Sequence, residues 1–253
     1  MVVQRLRNGK TIVGTMLRII RNPAVALIAR EAGLDFIMLD MEHGSFSYDS
    51  LADIFTVSRT ANLGSFVRVP ELSRGTVSRV LDCGADGVMV PMVESVDQAH
   101  ALAQWAKYPP LGKRGLSSVG GNTLFRQFSD ASVFMEQTNH GTIAIAQIES
   151  ATAVEVVDGI AAVEGVDVLL VGPYDLSVSL GYPGDLSCPP MNDAITAIAK
   201  AASHHNKVFG MHAGDALLKR WIPHGMRLIM NSIDIGMLLA GMKGIREAYK
   251  QLS

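Results

Sequence analysis

The chain has 253 residues, 48% of them hydrophobic and 18% charged, with a formal net charge of -2. That length suits one large α/β domain over residues 1–253, and the near-neutral balance offers no basic field to attract nucleic acid. Two cysteines, Cys83 and Cys188, are too few for a disulfide framework and lie in no metal-ligand spacing, so a reducing compartment is expected.

The opening stretch MVVQRLRNGKTIVGTML breaks at Arg18 and Arg21 without a small-residue cleavage site, so a cytoplasmic protein is expected. No apolar run approaches the roughly 18 residues of a membrane span. Eight short Val/Ile/Leu-rich runs read as parallel strands buried on both faces: 11–17, 36–40, 65–69, 87–91, 143–149, 168–172, 208–212 and 227–231. Amphipathic helical patterns fill the gaps at 23–32, 48–61, 74–83, 96–107, 151–163, 192–205, 215–223 and 236–252, with Ser73 and Ser95 placed as N-caps. Strict alternation over eight units predicts a (β/α)8 TIM barrel. Two connections, 109–140 and 180–191, are too long for plain turns; both are expected to build the active site, the first with room for a short helix over 130–138.

Catalytic groups of such barrels gather at the C-terminal ends of the strands. Strand two ends in Asp40-Met41-Glu42-His43-Gly44, strand three in Arg68, strand five in Gln147-Ile148-Glu149, strand six in Gly172-Pro173-Tyr174-Asp175, strand seven in His212 and strand eight in Asn231. Glu149 and Asp175 leave neighbouring strands, so their carboxylates can converge on one hard divalent cation such as Mg2+ or Mn2+ with positions open for substrate oxygens. Capping of the following helices is the competing reading of each. His43, three residues after Asp40, offers an acid–base pair, against a loop histidine that bonds backbone. Arg68 leaves a strand interior and must find an anion, either substrate or a structural carboxylate such as Glu42 or Glu71. The lysines fall before strands, on helices or in loops, which disfavours an amine-based mechanism. After strands seven and eight, Asp215 and Asp234 stand where a phosphate clamp needs glycine-rich backbone, which disfavours a phosphorylated substrate.

At these residues the chain resembles the HpcH/HpaI family of metal-dependent 2-oxo acid aldolases, over nearly its whole length. The carrying segments are LDMEHG at 39–44, VRVP at 67–70, LDCGADGVMVPMV at 81–93, YPPLGKRG at 108–115, QIES at 147–150 and GVDVLLVGPYDLSVSLGYPG at 165–184. The resemblance implies a phosphoenolpyruvate/pyruvate-type barrel in which Glu149 and Asp175 hold a divalent cation (Mg2+, Mn2+ or Co2+), Arg68 stabilises an enolate, and His43 with Asp40 forms a catalytic pair. It implies that Gln147 lies near the pyruvate and that the backbone of Gly172, Pro173, Tyr174 and Asp175 cradles its carboxylate. Asp82 matches an acidic residue that reaches the His–Asp pair of an adjacent subunit. That role implies a homo-oligomer, a hexamer built as a trimer of dimers with the last helix exchanged.

The implied reaction is reversible cleavage of a 4-hydroxy-2-oxo acid to pyruvate and an aldehyde, with oxaloacetate decarboxylation beside it. Two alternatives stand. A citryl-CoA or malyl-CoA type lyase needs basic groups for the CoA phosphates, and only Lys113-Arg114 offers a rim pair; a catalytically silent binding barrel needs every catalytic position intact by coincidence. Met211-His212-Ala213 and the end of strand eight depart from the family pattern, so the aldehyde partner is not legible.

Overall fold

The protein is described by a computed structural model covering residues 2–250. Eight parallel strands close in chain order: β1 (Ile12–Leu17), β2 (Phe36–Asp40), β3 (Gly64–Arg68), β4 (Gly87–Val90), β5 (Ile143–Ile148), β6 (Val168–Val171), β7 (Val208–His212) and β8 (Met226–Ile233), which pairs back to β1. Helix α1 (Val2–Arg7) precedes β1, and α2 (Val25–Glu31), α3 (Tyr48–Thr60), α4 (Arg74–Asp82) and α5 (Val96–Ala106) follow the first four strands. Helix α6 (Ala131–Gly141) precedes β5; α7 (Ala151–Glu155) and α8 (Val157–Ala162) follow it. Helices α9 (Pro173–Ser179) and α10 (Pro189–His204) follow β6, α11 (Asp215–Trp221) follows β7 and α12 (Asp234–Ala248) follows β8.

Every expected strand is present, because runs covered on both faces have little freedom to be anything else. The helices differ more. The pattern over 151–163 is broken at Val156 (φ -111°, ψ 11°) into α7 and α8. The unanticipated α1 plugs the barrel floor with Val2, Val3 and Leu6. The last helix starts two residues early, at Asp234, and its expected end at 252 lies outside the described residues. Ser73 and Ser95 cap as the sequence suggests, each accepting the amide three residues on, and Ser47 and Ser150, not singled out from the sequence, do the same.

Along each strand the side chains alternate between the barrel interior and the helical layer. Ile12, Met16, Phe36, Met38, Phe66, Met89, Ile145, Leu170 and Met230 fill the interior, with the Phe36 and Phe66 rings 5.2 Å apart. Their neighbours Leu17, Ile37, Leu39, Val67, Val88 and Leu169 pack beneath the helices.

The long segment 109–140 lies between α5 and β5, so it opens at the N-terminal end of the barrel and does not build the rim. The expectation is corrected by chain direction: this segment follows a helix, not a strand. Arg59 clips it through the carbonyls of Gly121 and Asn122, at 3.2 and 2.7 Å. Nearby, the fully buried Lys107 is satisfied by the carbonyls of Asn139 and Thr142 and by Asp167. The second segment belongs to the rim side, between α9 and α10. No described helix is long and apolar enough to cross a membrane.

Asp234 is fully buried, and its carboxylate accepts the amides of Arg18, Ile19 and Ile20 at 2.9–3.0 Å. This ties the loop after β1 to the start of α12 across the β1–β8 seam. Beyond that anchor α12 leaves the barrel, with Met237, Leu238, Leu239, Met242 and Ile245 41–66% exposed. Asp234→Ala strands three amides and is expected to lower stability by roughly 3 kcal/mol in urea unfolding, with Asp234→Asn recovering part of the loss. An unchanged midpoint in the alanine variant would show that the seam is held elsewhere.

Candidate active site

The strand alternation carries Arg18, Asp40, Arg68, Gln147, Glu149, Gly172 and His212 onto the inner face of the C-terminal rim. In the β2–β3 register Asp40 stands opposite Arg68. The guanidinium forks onto the carboxylate, Nε to Oδ1 at 2.9 Å and Nη2 to Oδ2 at 2.6 Å, while Nη1 lies 2.9 Å from Glu42 Oε2. Arg18, just past β1, adds an Nε contact to Asp40 Oδ2 at 2.8 Å. Burial works to raise the Asp40 pKa. The hydrogen bonds and charge of Arg68 outweigh it, helped by the His43 amide and by Arg18, and hold the carboxyl below the usual range.

The expected pairing of the Asp40 and His43 side chains is therefore not formed. Asp40 spends its oxygens on two guanidiniums and on the backbone amides of Glu42 and His43, at 3.1 and 3.3 Å. The His43 ring is 53% exposed, with Nε2 4.0 Å from Glu42 Oε2. The loop that carries it closes only with glycine at 44, where a Cβ would stand 2.1 Å from the Asp40 carbonyl oxygen. Arg18 was not singled out from the sequence; its signal is a charge at interior parity one residue beyond an apolar strand.

Glu149 follows β5 and is 2% exposed. Its Oε1 accepts the Met92 amide at 2.9 Å, presented by a backbone held at φ 50°, and its Oε2 accepts the Gln147 side-chain amide. Ser150 caps α7, so Glu149 has no capping duty. Gly172 presses on the same carboxylate: a Cβ there would lie 2.2 Å from Glu149 Oε2. Asp175 sits exposed in the first turn of α9, beside the exposed Tyr174 and the buried Pro173. Burial first, then the negative charges of Asp175 and Glu42, push the Glu149 carboxyl up to about 7 against the opposing Met92 amide and Arg68. Gln147 Oε1 is buried without a hydrogen-bond partner. An all-oxygen set short of positive charge is what a hard divalent cation fits.

His212 is half-buried at the end of β7, with Nε2 3.0 Å from the Ser232 carbonyl, which also accepts Thr15 Oγ1 at 3.3 Å. That carbonyl is aimed inward at a register shift of β8 against β1, where Ser232 has φ 62°. Burial, opposed by the Ser232 carbonyl and reinforced by Arg68 and Arg18, lowers the ring's pKa and favours the neutral imidazole. Asn231, expected on the rim, points outward to Ala213 and Asp215.

Asp82 ends α4 at the opposite end of the barrel, bonded to Arg114 at 2.6 Å, and cannot serve the rim of its own chain. Lys113-Arg114 is likewise not a rim pair; Arg114 is buried against the Tyr108 ring at that same end. Two cavities of about 1040 and 690 Å3 also open there, lined by residues such as Arg7, Lys107, Arg59 and Leu63. Neither cavity includes Asp40, Arg68, Glu149 or Asp175.

A closed parallel barrel with buried acids beside a guanidinium at its strand ends has the architecture of the α/β-barrel enzymes. The model of the HpcH/HpaI aldolase/citrate lyase family matches residues 18–231. A hydroxypyruvate/pyruvate aldolase of Roseobacter denitrificans is 31% identical over 97% of this chain and 95% of its own. A 4-hydroxy-2-oxovalerate aldolase of Novosphingobium aromaticivorans is 34% identical over 90% and 86%. The crystal structure of an HpcH/HpaI aldolase from Desulfitobacterium hafniense superposes with a TM-score of 0.92 at 34% identity, over 97% of this chain and 95% of that one. The chain belongs to the HpcH/HpaI aldolase/citrate lyase family and is a lyase, of a family whose aldolases generally depend on a divalent metal.

Glu149 makes the site visible in stability. Its folded pKa of about 7 lies above the ordinary 4.5, so the stabilisation is complete below pH 4.5 and lost as pH rises through 7. In the metal-free protein the loss is expected to be ~3 kcal/mol, and Glu149→Gln removes it. Parallel stability–pH curves for the two proteins would show that Glu149 titrates normally.

Proposed function

We propose that the chain is a class II pyruvate aldolase that reversibly cleaves a 4-hydroxy-2-oxo acid to pyruvate and an aldehyde, with oxaloacetate decarboxylation as a side activity. The observation that carries this reading is the meeting of Glu149, Asp175 and Glu42 with the forked, immobile Arg68. Glu149 and Asp175 would hold Mg2+, Mn2+ or Co2+, and when bound the cation supplies Lewis-acid polarisation of the 2-oxo group. The backbone amides of Tyr174 and Asp175, in the first turn of α9, bind the substrate carboxylate, since Pro173 has none and that of Gly172 is bonded to the Ile148 carbonyl, and Gln147 lines the pyruvate end. Arg68 faces the oxygen on which enolate charge gathers, and loss of one such preorganised donor costs on the order of 100- to 1000-fold in rate.

His43 accepts the proton of the 4-hydroxyl as the bond between carbons 3 and 4 breaks. Glu42 is the carboxylate nearest its ring, and Asp40 acts as a positioning residue for Arg68. The exposed apolar face of α12 supports exchange of that helix within a homo-oligomer, a hexamer of three dimers, in which Asp82 serves the rim of a neighbouring subunit. The acyl-CoA alternative finds no basic pair on the rim of its own chain, since Lys113-Arg114 lies beside Asp82 at the far end.

Pyruvate release from 4-hydroxy-2-oxo acids is expected to stop with a chelator and return with Mg2+ or Mn2+; turnover indifferent to both would refute the metal. Arg68→Ala is expected to lose aldol cleavage and decarboxylation together, since both pass through the enolate. Normal decarboxylation would make Arg68 a structural ion-pair residue only. His43→Ala is expected to slow aldol cleavage by roughly 100-fold while sparing decarboxylation, which needs no proton from a hydroxyl. Equal losses in both reactions would move the base to His212 or to a neighbouring subunit.

A further inference from the structure

Far from the rim, three side chains from two helices converge on one point. Asp158 stands in the first turn of α8, His204 is the last residue of α10, and His205 is its C-cap. Both imidazoles face the same carboxylate oxygen: His204 Nδ1 lies 3.3 Å and His205 Nε2 3.0 Å from Asp158 Oδ1. The three candidate ligand atoms lie within 4.8 Å of one another, and the two rings are 4.5 Å apart between centroids. β7 begins shortly after His205, so the cluster sits at the end of α10 remote from the catalytic groups.

We propose that Asp158, His204 and His205 form a surface site for Zn2+ that staples α8 to α10. Two imidazoles and a carboxylate are ligands this borderline-soft ion takes, whereas Mg2+ prefers oxygen. With Zn–N and Zn–O distances of roughly 2.0–2.2 Å, tetrahedral ligand atoms stand about 3.3 Å apart, which the two observed separations approach. Adjacent histidines turned onto one acid also need little rearrangement to admit the ion. His204 is 73% and Asp158 68% exposed, so solvent reaches the fourth position. His205, 22% exposed, is held by the helix end and gives the site its fixed member. The chain leaves the helix directly afterwards through Asn206 at φ 56°. The ion would be structural, joining two wall helices of which one is the short segment beyond the break at Val156.

Cu2+ serves as the spectroscopic probe, because it binds nitrogen ligands more tightly than Zn2+, and the double variant, which keeps His43 and His212 at the rim, separates this site from theirs. One equivalent added to the full-length protein is expected to give an electron paramagnetic resonance spectrum with imidazole nitrogen coupling that excess Zn2+ removes. The His204→Ala/His205→Ala variant is expected to lack that coupling and to bind one Zn2+ fewer in equilibrium dialysis. Asp158→Asn, which keeps both rings, is expected to weaken Zn2+ by at least tenfold. Zn2+ is also expected to raise the melting temperature of the wild type more than that of the double variant, whose far-UV spectrum reports its folding. Equal Zn2+ stoichiometry and equal nitrogen coupling in the wild type and the double variant would overturn the site, leaving two imidazoles hydrogen-bonded to Asp158. These readouts do not pass through catalysis, so failure of the aldolase reading leaves the test intact.

Discussion

Side-chain alternation in a closed barrel is the constraint on which the rest depends. The inner surface accepts every second residue, so Phe36, Met38 and Asp40 share one face of β2 as Phe66 and Arg68 share one face of β3. A slip of one residue in either strand would send a charge beneath the helices, where an unpaired ion is prohibitive. The apolar layers below therefore fix where the polar layer must begin. The catalytic rim is the top of a packed column, and its precision is inherited from Leu, Ile, Met and Phe that touch no substrate.

Within that layer charge is divided unevenly. Towards β1, β2 and β3, Arg18 and Arg68 saturate Asp40, and Arg68 is held between Asp40 and Glu42. Towards β5 and β6, Glu149 and Asp175 share a corner short of positive charge, and burial first, then the neighbouring negative charges, raises the carboxyl of Glu149. On the proposed reading one side suits a developing oxyanion and the other a cation, and a 2-oxo acid would present one group to each. Burial of Asp40, Arg68 and Glu149 strengthens both preferences.

Much of this is legible in the sequence. The strands are, since a run buried on both faces has one pattern, and so is the gathering of polar residues at their ends. What escapes is competition in space. Asp40 precedes His43 by three residues, yet Arg68 and Arg18 from other strands claim its oxygens first, and no spacing reveals which partner wins. Direction escapes as well: 109–140 reads as a long loop, but only the assembled barrel shows that it hangs from a helix end and lies at the floor. Asn231 was misjudged for want of the β8 register, which a bulge shifts. Asp158 and His204 are too far apart in the chain for any spacing rule to join them.

The turn after β6 places a sealed position next to an open one. At Gly172 any side chain would enter the space of the Glu149 carboxylate, whereas Tyr174, two residues on, is 65% exposed. Packing closes one position to any side chain and leaves the other open, two residues apart. A lineage can change what it accepts at the mouth by rewriting position 174 and its surroundings without disturbing the donor atoms beneath. Diversified libraries aimed at new acceptors belong at Tyr174 and His212, with Gly172 left as it is.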